Sequence, residues 1–155
     1  MTAGNAAATV WRDMTGQNFA GHQAVSLQLP GNAPTGFVAV DKTGGAAACI
    51  LGRNGLFGGA ANATPTEATA SALLVSEDGI FYAAFVGTGD AAADVASRVL
   101  APEHPPLERV LAERQDRVNL VNGIVCPGGL PAEVANCQTR ADPHGYGLAG
   151  IALGR

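Results

Sequence analysis

The sequence has little charge. Asp, Glu, Lys and Arg make up 14% of its 155 residues, against about 25% in an ordinary soluble domain. The nine Lys and Arg residues form no cluster and the net charge is −4, which argues against nucleic acid and anionic membrane as partners. No apolar run approaches the roughly 20 residues that a membrane span needs. The opening MTAGNAAATVWRD lacks a basic region followed by an apolar core, so no signal peptide is expected there. Only three cysteines are present. No CxxC or HxxxH pair joins them, so neither a zinc site nor any other metal or cofactor is expected.

What remains is a chain of 47% hydrophobic residues, a content that does not suit disorder. Its length fits one domain over residues 1–155, large enough to bury roughly 70% of its extended surface without a metal or disulfide staple. Scarce charge also points to surface buried against another chain.

Residues 1–20 are small and polar and read as a loosely ordered arm, with Trp11 and Phe19 as anchors. His22–Leu29 alternates apolar and polar, as a half-buried strand does. Pro30, Gly31 and Pro34 then interrupt the chain. The clearest hairpin joins GFVAVD (36–41) to AAACILG (46–52) through Lys42-Thr43-Gly44-Gly45, whose glycines accept positive φ. Both strands are apolar on both faces, which predicts a sheet covered on both sides. Residues 53–68 read as a long loop. A second hairpin joins 71–76 to 80–87 through Glu77-Asp78-Gly79.

Gly87-Thr88-Gly89-Asp90 opens a helix. Ala92, Val95, Ala96, Val99 and Leu100 fall on one face, Asp90 is placed as its N-cap, and Pro102 marks its end. A short helix at 106–114, a strand at 118–126, and a tail of loop and last strand complete the order. Neighbouring strands read as antiparallel with the helices late. The expected fold is therefore α+β: a layered, mostly antiparallel sheet with helices on one face.

Cys49 lies in AAACILG and reads as a buried thiol. Cys126 and Cys137 flank CPGGLPAEVANC. Two readings stand for them: a loop-closing disulfide in an oxidising compartment, or two reduced loop cysteines. The location follows, cytoplasmic by default and periplasmic with the bond.

Three stretches, in order, resemble the C-terminal, catalytic part of bacterial γ-glutamyltransferases. In 35–59 these are Val40-Asp41, Gly44-Gly45 and Asn54-Gly55-Leu56-Phe57-Gly58. In 77–100 they are a strand, the Gly87–Asp90 turn and a helix. In 121–149 they are the Cys pair and Asp142-Pro143-His144-Gly145-Tyr146-Gly147-Leu148. The resemblance implies part of the αββα sandwich of N-terminal-nucleophile hydrolases. It implies a threonine nucleophile freed by self-cleavage, whose own amine is the base and which forms a γ-glutamyl ester. Carried over, Thr35 would be the nucleophile and Asn54 would hold it. The N–H groups around Gly87 and Gly89 would face the oxyanion. A large-subunit partner and a small γ-glutamyl ligand are implied as well.

The chain departs from the family pattern at Pro34, Asp90, Glu67, Ala68 and Thr69. A gapless count back from Asp41 puts Pro34, which has no hydroxyl, at the nucleophile. Asp90 replaces a glycine and would oppose a developing oxyanion. Glu67 is the only carboxylate in the loop that should grip the glutamyl amine. Ala68 and Thr69 stand where a Ser-Ser pair is usual. No arginine matches the one that binds the substrate's α-carboxylate; Arg12 and Arg53 read as solvated. Two functions follow: a degenerate γ-glutamyltransferase-like domain serving as a binding or structural module, or an active threonine amidohydrolase or transferase. An unrelated small α+β domain is the third reading. A homo-oligomer or large-subunit partner is expected to bury the face near 36–52.

Overall fold

The computed structural model describes residues 15–19, 22–30, 35–51, 69–145 and 147–151. Among these residues eight strands and two helices follow one another: β1 (Thr15–Phe19), β2 (His22–Pro30), β3 (Thr35–Val40), β4 (Ala46–Leu51), β5 (Thr69–Glu77), β6 (Ile80–Thr88), α1 (Ala91–Val99), α2 (Leu107–Ala112), β7 (Val121–Leu130) and β8 (Gln138–Arg140). They build an α+β fold in three layers. An antiparallel six-stranded sheet, ordered β1-β2-β5-β6-β7-β8, forms the middle. The separate β3–β4 hairpin covers one face, and the two helices cover the other.

The middle strands are apolar on both faces because both faces are covered. Leu73, Val75, Ala83, Phe85, Val121 and Val125 pack against Ala92, Val95, Ala96 and Val99 of α1 and Leu107, Val110 and Leu111 of α2. Burial of each large side chain in that set contributes about 1.5–3 kcal/mol. Alanines at 91, 92 and 96 let α1 approach the sheet closely. On the opposite face Ala72, Ala84, Val86 and Ile124 meet Val38, Val40, Ala48 and Ile50 of the hairpin. Close fit sets one local choice. Gly123 lies opposite Phe85, and a Cβ there would fall 2.4 Å from the Phe85 ring. The fully buried ring therefore occupies space that only glycine leaves.

Turn chemistry fixes the hairpins. Asp78 and Gly79, both at positive φ, form the two-residue connection between β5 and β6. At the other tip the Asp41 carboxylate accepts from Thr43 N (2.8 Å), Thr43 Oγ1 (2.6 Å) and Gly45 N (3.0 Å). These bonds, the Thr43 hydroxyl foremost, hold the Asp41 pKa below its ordinary value.

Several sequence expectations change. Residues 15–19 are not a loose arm but strand β1, paired with β2. The expected strand at 118–126 starts at Val121 and continues through CPGGL to Leu130. Residues 126–129 bulge out between the Ala83–Val125 and Phe81–Leu130 pairs, and the Cys126–Cys137 disulfide ties this bulge to the Val134–Asn136 turn. The last strand lies at 138–140, whereas 147–151 is irregular coil. Asp90 holds the N-cap position, but its side chain makes no cap hydrogen bond. Cys49 is only half-buried, because it pairs with Phe37 on the hairpin's outer face. Among the described residues nothing covers that face: Phe37 is 53% exposed, and Ala39 and Ala47 are exposed beside it.

Candidate functional site

The end of the middle sheet where β5 and β7 begin and β6 finishes carries a connected set of polar groups. Glycine makes the turn after β6 possible. Gly89 has φ +56 and a Cβ there would lie 2.9 Å from Asn119 Oδ1; one on Gly87 would lie 2.8 Å from Leu120 O. Thr88 closes the turn onto the approach to β7. Its N–H donates to Leu120 O (3.0 Å), and its Oγ1 accepts from Leu120 N (3.0 Å). Ser71 Oγ donates to Gly89 O (3.0 Å).

From Asn119 the set runs inward. Asp116 accepts from Val118 N, Asn119 N and Asn119 Nδ2. The backbone N–H of Asn119, then its side-chain amide, then the N–H of Val118 favour the carboxylate, lowering its pKa to about 2. Arg114 Nη2 donates to Asn119 O (2.7 Å), and Arg114 Nη1 donates to Asp142 Oδ2 (2.8 Å). The side chains of Arg114 and Asp142 are 3% and 1% exposed. A charge pair so deep is tolerable only when its remaining polar valences are filled. Asp142 meets that condition, because Oδ2 also accepts from Val121 N (3.1 Å) and Oδ1 from His144 N (2.9 Å). His144 Nδ1 lies 3.0 Å from Oδ1, a placement that fixes the proton on Nδ1 in the neutral ring. Asp142 N donates to Asn122 Oδ1 (3.1 Å). Among the described residues no buried side-chain N or O lacks a partner.

The residues proposed from sequence sit as follows. Thr35 is the first residue of β3 and pairs with Leu51. Its neighbour Gly36 abuts β6 so closely that a Cβ would fall 2.3 Å from Val86 Cγ2. The start of β3 therefore lies against the strand that ends in the Gly87–Gly89 turn. Gly87 is paired on both sides, with Ser71 of β5 and Val121 of β7. Asn54, Glu67, Arg12 and Arg53 lie outside the described residues.

Sequence reasoning missed Arg114, Asn119, Asn122, Asp142 and His144 as a group. Arg114 and Asp142 are 28 residues apart, so no spacing rule links them. The one local signal was Asp-Pro-His-Gly, a turn whose carboxylate reaches the N–H two residues on. A separate cleft of about 260 Å³ opens at the far end of the sheet, between Gly44, Ala46, Leu74, Ser76, Gly79 and Phe81. None of the described residues that line it is charged. Among the described residues no group of three or more His, Cys, Asp and Glu could hold a metal ion, and no helix is long and apolar enough to cross a membrane.

Comparison with models of known families, with curated proteins and with solved structures found no match. Nothing in these comparisons identifies the chain as part of a γ-glutamyltransferase.

Proposed function

We propose that the chain is a γ-glutamyltransferase-like domain that does no amide chemistry and serves as a binding or structural module. One observation carries this reading: the Gly87–Gly89 turn is packed and hydrogen-bonded against the Asn119–Leu120 segment. An oxyanion site needs N–H groups aimed at open space. Here Thr88 N–H is spent on Leu120 O, Gly87 is held between two strands, and the missing side chains make room for Leu120 O and Asn119. The glycines serve close packing. The buried Arg114–Asp142 pair beside them is saturated in the same way, so this end of the sheet is built for rigidity. Pro34 at the nucleophile count and Asp90 at the family's glycine agree with it.

The module reading includes self-association through the outer face of β3–β4, where Phe37, Ala39 and Ala47 are exposed. Exposed contiguous apolar surface of this kind marks contact sites.

The second reading is an active threonine-nucleophile γ-glutamyl hydrolase or transferase. Its support is the approach of Gly36 to Val86, which brings the start of β3 to the strand leading into the turn. Hydrolysis of a γ-glutamyl anilide separates the two. The module reading expects no turnover above buffer for the wild type or for Thr35→Ala. Turnover that Thr35→Ala abolishes would establish the second reading.

A further inference from the structure

Two apolar features of this chain have no cover among the described residues, and they complement each other. The first is the outer face of β3–β4. Phe37 and Cys49 pair across the strands, as do Ala39 and Ala47, giving a low shelf with one raised aromatic edge. Both outer edges of this two-stranded sheet lack a strand partner among the described residues, so a further extended segment could hydrogen-bond to either. The second feature is the C-terminal coil. Gly147 is seated against Asn122 and Ala141. Beyond it the chain leaves the body: Leu148 is 98% exposed, Ile151 is 64% exposed, and nothing lies within 4 Å of where a Gly150 Cβ would be. Residues 147–154, GLAGIALG, hold no charged side chain. A leucine and an isoleucine held in water on an irregular segment are unfavourable relative to burial.

We propose that the C-terminal segment of a second copy of this chain packs on the outer face of the β3–β4 hairpin, in a reciprocal exchange. The inference rests on the self-association reading above and names the segment that makes the contact. Each copy carries one shelf and one apolar tail, so a two-fold axis satisfies both at once and closes the assembly. Leu148 and Ile151 lose their exposure, and Phe37, Ala39 and Ala47 lose theirs. A reciprocal dimer holds two shelf–tail contacts rather than one, which brings it closer to the roughly 800 Å² per partner of a stable interface.

Analytical ultracentrifugation of the full chain is the first test. The wild type is expected as a dimer at micromolar concentration. Deletion of 147–155 and Phe37→Asp, which alter the tail and the shelf separately, should each weaken association at least about 30-fold. An equimolar mixture of the two variants should associate more strongly than either variant alone and less strongly than wild type, because one intact tail meets one intact shelf where the wild type has two such contacts. The second test is covalent. Leu148→Cys, oxidised with diamide as the two-electron acceptor, should link to Cys49 of another chain and run as a dimer on a non-reducing gel, and Cys49→Ala should abolish the link. A dimer indifferent to the deletion and to Leu148→Cys would overturn the tail assignment and leave self-association standing. A strict monomer at 100-fold higher concentration would overturn both. A bond within one chain between Cys49 and the thiol introduced by Leu148→Cys would place the tail on its own hairpin and refute the exchange.

Discussion

Asp142→Asn tests the buried polar centre of the molecule. The carboxylate, 1% exposed, takes four donors: Arg114 Nη1, Val121 N, His144 N and His144 Nδ1. An amide offers one acceptor oxygen and turns an NH2 toward either Arg114 or His144. It also leaves the Arg114 cation buried with a single carbonyl, Asn119 O, at 2.7 Å and the Asp116 carboxylate 4.0 Å away. Removing one partner of a buried ion pair costs about 3–5 kcal/mol. The surviving Asn119 contact places this case at the low end, about 3 kcal/mol. With a urea dependence of about 2 kcal/mol/M, the midpoint should fall by about 1.5 M. Arg114→Met should lose a similar amount. The double variant should lose about 2 kcal/mol less than the sum, since neither remaining group is then an unpaired buried charge. Single losses below about 1 kcal/mol that simply add would refute the pairing as the source of rigidity.

Three further outcomes follow from the structure. The Asp116 pKa is lowered to about 2 in the folded chain from an unfolded value of about 3.9. A depressed carboxylate contributes stability above the unfolded value and loses it as pH falls through the folded one. The urea midpoint should therefore drop between about pH 4 and pH 2, and Asp116→Asn should flatten that slope. Reduction of Cys126–Cys137, which closes a loop of sequence separation 11, should destabilise the fold by about 3 kcal/mol, read as a lower denaturation midpoint with dithiothreitol in wild type but not in Cys126→Ala/Cys137→Ala. Gly123→Ala drives a methyl into the Phe85 ring and should cost about 1–3 kcal/mol; Phe85→Leu in the same chain should recover part of that loss by differential scanning calorimetry.

Local structure was legible where local chemistry decides it. The apolar face of α1 reads directly from Ala92, Val95, Ala96, Val99 and Leu100, all buried. Both hairpins read from their turns, Asp78-Gly79 and Asp41–Gly45. Long-range placement was less legible. The β3–β4 hairpin forms its own layer while β2 passes it and pairs with β5, and nothing in strands that are apolar on both faces tells a neighbour in the sheet from a neighbour across it. CPGGL reads as a loop because Pro and Gly break regular strands. A bulge absorbs them, with Gly129 at φ +76 against Ile80 and a disulfide across its base. Of the proposed site residues, Thr35 and the glycine turn fall at the same end of the sheet. The polar cluster beside them was invisible because Arg114 sits in a charged stretch, AERQDR, that reads as a solvated surface.

The intact mass of the purified chain tests the absence of amide chemistry most directly, since a nucleophilic threonine must first be released as a new amino terminus. A single species at 15.5 kDa, unchanged after prolonged incubation with a γ-glutamyl anilide, is the predicted result. Two fragments with the second beginning at Thr35, or a mass gain of one γ-glutamyl group on that fragment, would contradict it.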